Sequence, residues 1–287
     1  MVTLNRSAFQ LKPGVLFLTL LCAALSACSD DAPTKPGSES GGVNPVFSAG
    51  LHTMEELIDD FSSDNVTGII QLYYWNRNIL RQSIPGQTPW EVRESESFNG
   101  QAQFFDVPNE ALASAGYVTV NDVLFDEYQT GLYQDKNVAG ELELDVRFGG
   151  TPNALFIAGA NDIPRYSGSV VFANAPVITN IERGQQVSRS APLTIEWTGS
   201  GSGYVEVGVD AGNAIRDPEV GQVNGILRLV DNSGAATLSS DGLQSLPNGI
   251  VEVYVWQFDP QPVTLANDQI VYVVGMPIHE ISIELID

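Results

Sequence analysis

From Gly68 onward, apolar residues recur at every second position, and this period constrains the fold more than any other feature. The clearest case is residues 141–148, ELELDVRF, where charged and apolar side chains alternate strictly. An extended strand with this period has one wet face and one buried face. Weaker segments of the same kind lie at 68–75, 101–107, 117–124, 154–158 and 168–172. Turn signals such as Asn99-Gly100 separate several of them, and no amphipathic helix intervenes, so the pattern predicts antiparallel all-β structure.

The second half of the chain predicts a sandwich of its own. About seven strands follow Asn174-Ala175-Pro176, a number typical of an immunoglobulin-like sandwich. They lie near 177–181, 192–198, 203–209, 224–230, 234–239, 249–258 and 270–286. Leu193, Ile195 and Trp197 share one strand face, and this face resembles the strand of fibronectin type III domains whose Trp lies in the core. Because no Tyr stands at the position of that family's tyrosine corner, the prediction is an Ig-like sandwich.

Length and pattern together predict two β-sandwich domains, at 51–173 and 174–287. One short helix is predicted at the start of the first domain, over 51–61. Its apolar residues recur at helical spacing, and Thr53 and Glu56 fit a capping box. The apolar residues are Leu51, Met54, Leu57, Ile58 and Phe61.

The N-terminal residues are typical of an export signal. Arg6 and Lys12 precede an apolar run over 15–25, which is too short to span a bilayer. Leu25-Ser26-Ala27-Cys28 then resembles the lipobox of bacterial lipoproteins. The resemblance implies removal of residues 1–27 and lipidation of the Cys28 sulfur. The alternative is an ordinary secreted protein whose cleavage site ends in Cys.

Residues 28–50 read as the acylated Cys and a flexible tether, because they are rich in Pro, Gly, Ser and Asp and poor in apolar residues. Ser29 stands where many inner-membrane lipoproteins have Asp, which favours the outer membrane. The prediction is therefore a lipid-anchored protein of the bacterial cell envelope, either periplasmic or surface-exposed. Its first partner would be the membrane, through the lipid.

Charge and cysteine content exclude several classes. The chain has 35 acidic and 13 basic residues, a formal net charge of −22 at pH 7, so its surface repels nucleic acid. Cys22 and Cys28 are the only cysteines, and the mature chain has no pair left for a disulfide. Packing alone must hold the fold together.

The sequence predicts no catalytic residue and no cofactor. His52 and His279 are predicted at the surface or in loops, and His279-Glu280 does not complete an H-E-x-x-H motif because residue 283 is Ile. A glycoside hydrolase needs only two carboxylates, so this class stays open as a third alternative. Acidic side chains also make calcium a weak candidate, against the alternative of solvated loop acids. The calcium candidates are Asp122, Asp126, Glu127, Asp210, Asp217 and Glu219.

Aromatic residues of matching parity give the remaining functional signal. They are Tyr73 and Trp75 on the first strand, and Tyr254, Trp256 and Phe258 on a late strand. A stripe of this kind either packs inside the protein or forms a platform for sugar rings, and packing is favoured. The sequence therefore predicts a non-catalytic structural, adhesive or binding role, with glycan binding as the runner-up. The partner would be a glycan or an envelope protein.

Overall fold

A computed structural model describes residues 65–81, 89–106, 111–135, 144–199, 201, 203–211 and 225–287. The predicted signal, tether and helix lie outside these ranges, as do Cys28, His52, Asp217 and Glu219. In the described part, no helix is both long and apolar enough to cross a membrane.

Strands are the dominant structure of the described chain. Strands of the first half are β1 (Val66–Arg81), β2 (Glu91–Asp106), β3 (Ala111–Leu112), β4 (Val118–Val120), β5 (Val123–Gln129), β6 (Leu132–Asp135), β7 (Pro152–Ile157) and β8 (Tyr166–Val171). Strands of the second half are β9 (Val177–Ile178), β10 (Gln185–Ser188), β11 (Leu193–Thr198), β12 (Tyr204–Asp210), β13 (Gly225–Asp231), β14 (Ala235–Leu238), β15 (Gly249–Thr264) and β16 (Ile270–Ile286). A short helix, α1 (Ser240–Gln244), precedes β15.

Two sheets form sandwich-like layers, which confirms the all-β class. The long sheet has the order β13-β12-β15-β16-β1-β2-β6-β5-β4-β7-β8, with β10 beside β16 and β3 beside β2. The short sheet has the order β14-β11-β9. Most pairs are antiparallel, but β16 pairs in parallel with both β1 and β10, which differs from the fully antiparallel prediction. Parallel neighbours need a long connection, and nearly the whole described chain lies between β1 and β16.

The second half forms the Ig-like sandwich. The short sheet packs against β13-β12-β15-β16, and the order of three strands over four is that of this architecture. Its core contains Leu193, Ile195 and Trp197, with Trp197 only 4% exposed, as the sequence predicts. The indole nitrogen of Trp197 donates to Asn232 Oδ1 at 2.9 Å, so this buried polar atom is satisfied.

The first half has its own core, because the long sheet curls until β8 returns to β15. Phe104, Phe125 and Tyr133 fill the interior of the curl. The curl closes where the amide of Ala173 donates to Asp259 Oδ2 at 2.6 Å. Gly275 permits the closure, since a Cβ there would lie 2.7 Å from the Phe172 ring.

The hairpin β15–β16 contributes to both cores. Val263, Val271 and Val273 lie in the first core, whereas alternate residues further along the same strands lie in the second: Val251, Val253, Val255, Ile281, Ile283 and Leu285. The predicted boundary at 174 implies that each half folds on its own, and this stays a prediction. Within the structure, the two halves share one continuous sheet.

The described part of the segment with the clearest alternation, residues 144–148, is not a strand. Residues 144–148 bury Leu144 and Val146 and expose Asp145 and Arg147, yet they have no ladder partner. Side-chain amides bind their backbone instead. Asn153 accepts from the Arg147 amide and donates to the Arg147 carbonyl, both at 2.8 Å. The predicted burial is therefore correct and the predicted strand is wrong over these residues.

Candidate functional site

The five aromatic residues singled out by the sequence meet in one cluster, here called the buried aromatic face. Tyr73 is 8% exposed, Trp256 5% and Phe258 4%, while Trp75 and Tyr254 are partly buried against them. Aliphatic side chains fill the gaps between the rings. These are Ile69, Leu229, Val274, Met276 and Ile278.

Strand register brings these side chains together. Trp256 pairs with Ile278 on β16, and Ile278 pairs with Trp75 on β1, so the three lie in one row across the sheet. The rings of Trp256 and Phe258 lie 5.1 Å apart with an interplanar angle of 30°. Such burial agrees with the interpretation of the stripe as packing. The Trp256 indole nitrogen is itself buried and has no hydrogen-bond partner among the described residues.

A buried carboxyl group lies within this apolar face. Glu206 on β12 pairs with Trp256 and is 3% exposed. The Tyr254 hydroxyl donates to Glu206 Oε1 at 2.8 Å, and the Tyr254 ring covers Gly208, where any Cβ would collide with it. Burial raises the pKa of Glu206 to about 7, although the bond from Tyr254 acts in the opposite direction.

Further carboxyl groups lie on the same side of the sheet, toward the start of β15. Glu252 pairs with Asp210 on one side and Ser282 on the other. Burial raises the pKa of Glu252 to about 7, and the charges of Glu280 and Asp210 add to the shift. Nearby Arg81 and Arg77 act in the opposite direction.

Arg77 is the main cation at this site. Its Nε lies 2.8 Å from Glu280 Oε2, and its guanidinium carbon lies 4.4 Å from the centre of the Trp75 ring. Burial still raises the pKa of Glu280, with Arg77 opposing the shift. Chemically, the cluster can hold protons near neutral pH, a property that often marks functional sites and also occurs in structural ion networks. Sequence reasoning missed this cluster because its members come from β1, β12, β15 and β16, although Glu252 has the same parity as Tyr254, Trp256 and Phe258 on β15.

The calcium candidates are spread over the described structure. Asp122 lies in the tight turn between β4 and β5, whereas Asp210 lies at the end of β12. Both Glu127 carboxylate oxygens already accept hydrogen bonds, from the Ser114 hydroxyl at 2.9 Å and the Gly131 amide at 2.8 Å. Asp126, beside it on β5, has interactions of its own. No group of three or more His, Cys, Asp or Glu side chains in the described ranges is arranged to hold a metal ion.

His279 is buried, which corrects the prediction of a surface position. It is 6% exposed, its Nδ1 accepts from the Ile178 amide at 3.2 Å, and burial lowers its pKa. The residue lies in the middle of β16, where the alternation of a long central strand points it inward. It joins the two layers of the sandwich and is not positioned as a catalytic base.

A second aromatic group, here called the exposed aromatic patch, lies on β5, on β7 and at the residue just before β4. Tyr117 is 57% exposed, and its ring stacks on Phe156 at 5.1 Å and 21°. The guanidinium carbon of Arg165 lies 5.1 Å from the centre of the Phe156 ring. Leu124 and Tyr128 extend the patch and are 43% and 65% exposed.

The sequence reasoning missed this patch because its residues are isolated along the chain. Thr119 pairs with both Leu124 and Phe156, so strand pairing alone brings the patch together. One signal was available: Leu124, Asp126 and Tyr128 have the parity opposite to the apolar Val123 and Phe125.

Comparison with known proteins gives no family. No family model matches the chain, and no curated protein matches it. Among solved structures, the chain is similar to "Dpr11 IG1 bound to DIP-gamma IG+IG2", with 9% identity over 76% of this chain and 96% of that chain. The TM-score is 0.18, and a likeness this weak says nothing about the function of this protein.

Proposed function

We propose that this chain is a lipid-anchored protein of the bacterial cell envelope, with a non-catalytic binding or adhesive role. The lipobox ending at Cys28 supports the anchor, and the residues up to 50 would separate the body from the membrane. The observation that carries the binding role is the exposed aromatic patch on rigid strands, centred on Tyr117 and Phe156. Exposed rings grouped on a rigid scaffold are a common feature of contact surfaces.

The anchor is tested by mass spectrometry of the protein from membranes. The expected mature N-terminus is Cys28 carrying fatty acyl chains, two or more of which give stable anchoring. Cys28→Ala should abolish the lipid. Cys22→Ala is the matched control and should leave the lipid in place, because Cys22 lies in the apolar run of the signal. An unmodified Cys28 in the mature protein would refute the anchor.

Glycan binding is the second candidate function, and the stacking of Tyr117 on Phe156 favours it. Flat ring faces on a sheet present apolar area to a sugar ring at little cost in conformational entropy. A glycan array with the wild type and Tyr117→Ala tests this function. Trp90→Ala is the control, since Trp90 is 38% exposed and lies outside the patch.

Binding that is lost in Tyr117→Ala and kept in Trp90→Ala would support a glycan ligand. Absence of glycan binding, together with patch-dependent capture of an envelope protein, would support adhesion to protein instead. Retention of all binding in Tyr117→Ala would refute the patch as the contact surface. A hydrolysis assay over the same glycans tests the third class, an envelope glycoside hydrolase, for which the enclosed Glu206 offers poor access to substrate.

A further inference from the structure

We propose that a cavity at one end of the first-half curl binds a short aliphatic diamine. The cavity has a volume of about 320 Å³, within the range of small-molecule sites, and the open end of a curled sheet is a common place for such sites. Its lining comes from the start of β1, the end of β2, β3 with the residues after it, and three turns. No residue of the exposed aromatic patch lines it, so this site is separate from the proposed contact surface.

Hydrogen bonds within the lining hold the cavity in shape. The Thr67 hydroxyl donates to the Phe105 carbonyl at 2.8 Å, which ties the start of β1 to the end of β2. The Asn161 side chain donates to the Ser114 carbonyl at 3.1 Å, which ties the turn after β7 to the link between β3 and β4. A ligand would therefore meet walls that are already formed, and it would lose less free energy to their ordering.

The polar part of the lining offers hydrogen-bond acceptors. Asp106 and Asp162 both line the cavity, and Gln269 lines it from the turn between β15 and β16. Gln269 Oε1 is buried, and no described residue donates a hydrogen bond to it. The Asp162 carboxylate forms no ion pair or hydrogen bond within the described part of the chain. Because a buried acceptor without a donor costs free energy, the cavity favours a ligand that supplies N–H or O–H groups.

Charge selects an amine among the ligands that can donate. The described lining has two carboxylates and no lysine, arginine or histidine, so it repels anions. A protonated amine gains more than a neutral hydroxyl, since hydrogen bonds between charged groups are about twice as strong as neutral ones. A bare metal ion is a poorer match, because no group of three or more His, Cys, Asp or Glu side chains in the described ranges is arranged to hold one.

The apolar part of the lining selects a carbon chain. Phe105 is 5% exposed and Ile163 3%, and Leu112 lies beside them in the lining. Methylene groups gain free energy when they leave water for such walls. A short chain of methylene groups with an amino group at each end matches both parts of the lining, because the amines can donate to the acceptors while the chain contacts the apolar side chains.

Titration calorimetry of the full chain with 1,4-diaminobutane tests the site. The buffer contains about 0.15 M salt, which screens weak binding to the acidic surface. We expect one saturable site per chain. The matched probe is 1,4-butanediol, which has the same length and no charge, and it should bind about tenfold more weakly or less.

Two variants assign the binding to the cavity. Asp162→Asn removes one charge from an exposed side chain of the lining, so the fold should be kept while the affinity for 1,4-diaminobutane falls about tenfold. Asp122→Asn is the matched control, because Asp122 is an exposed acid in the turn between β4 and β5 and does not line the cavity. Its affinity should stay within about twofold of the wild type. Gln269→Leu removes the buried acceptor, and it should weaken binding without lowering the thermal midpoint.

The outcomes decide the proposal one by one. Absence of saturable binding by 1,4-diaminobutane would overturn it. Equal losses of affinity in Asp162→Asn and Asp122→Asn would also overturn it, because they would show binding to the acidic surface as a whole. Equal affinity for 1,4-butanediol would show a site for neutral hydroxyl compounds and would overturn the choice of an amine. Wild-type affinity in a folded Gln269→Leu variant would contradict the role of the buried acceptor.

Discussion

The two aromatic groups lie on the same side of one sheet and have opposite exposures. Paired residues in neighbouring strands point to the same side of a sheet, and the pairs Gln71–Gln101, Gln101–Gln134 and Gln134–Asp126 run from one group to the other. The buried aromatic face and the exposed aromatic patch are therefore on one side of the long sheet. Tyr117 is 57% exposed, whereas Trp256 is 5% exposed. The side of a sheet is fixed by the parity of the residue, but the exposure is fixed by whatever lies over that side. Stability measurements can therefore assign a role to each group.

The largest expected effect is the loss of a ring from the buried face. Trp256→Ala removes a large apolar side chain beside Phe258 and Ile278 and leaves a cavity. We expect a loss of about 3–5 kcal/mol in the free energy of unfolding, measured by denaturant titration.

The matched variant on the exposed patch is Tyr117→Ala. Its ring is mostly in water, so the expected change is within about 0.5 kcal/mol. If the two substitutions cost the same, the distinction between packing and contact surface is wrong.

The next effect is a dependence of stability on pH that arises from the buried face. Burial raises the pKa of Glu206 from 4.5 to about 7, so the folded state favours the neutral acid. This contribution is fully present below about pH 4.5 and is lost as the pH rises through about 7. By linkage, the shift corresponds to about 3 kcal/mol, and Glu252 acts in the same direction. Unfolding midpoints should therefore be higher at pH 5 than at pH 8.

Glu206→Gln tests the source of this dependence. The amide oxygen can still accept from Tyr254, and no charge appears at high pH, so the variant should gain stability relative to the wild type at pH 8. The fall between pH 5 and pH 8 should become smaller. Exposed Glu196→Gln is the control and should keep the wild-type fall. A Glu206→Gln profile identical to the wild type would place the dependence elsewhere.

Much of the fold was predictable because strands and their inward faces are local properties. The predicted strands at 192–198 and 203–209 agree with β11 and β12 to within one residue, and Trp197 lies in the core as predicted. The pairing of β1 with β16 was not predictable, since it joins residues such as Gln71 and Val274 across nearly the whole described chain. No local pattern encodes a partner at that distance.

The candidate site shows the same limit. The aromatic stripe was found because Tyr254, Trp256 and Phe258 alternate within one strand. The carboxyl groups beside it were missed, because Glu206 and Glu280 come from different strands and look like ordinary surface acids in the sequence. Only the register reveals that they meet beside the same rings.

A smaller effect is expected at the cation of the buried face. Arg77 stacks on Trp75 and pairs with Glu280, whose side chain is 14% exposed. Arg77→Ala would leave this carboxylate without its main cation, and we expect a loss of about 1–2 kcal/mol, between surface and buried ion pairs. The double variant with Glu280→Gln should recover part of that loss, because no unpaired charge remains. A double variant whose losses simply add would show that the pair is not coupled.

A small effect is also expected at the matching cation of the exposed patch. Arg165 also lies over an aromatic ring, that of Phe156, but at 5.1 Å, and its side chain is exposed. Water screens this charge, and an exposed cation–π contact contributes about 0.5–1 kcal/mol. Arg165→Ala should therefore lower the unfolding free energy by about 0.5 kcal/mol, and Arg165→Lys by less, in the same denaturant titration used for Arg77→Ala. The ratio of the unfolding free energies lost in Arg77→Ala and Arg165→Ala measures how much burial strengthens a contact between an arginine and an aromatic ring. A loss at Arg165 as large as that at Arg77 would mean that the patch is structural, and Tyr117 and Phe156 would then be poor candidates for a contact surface.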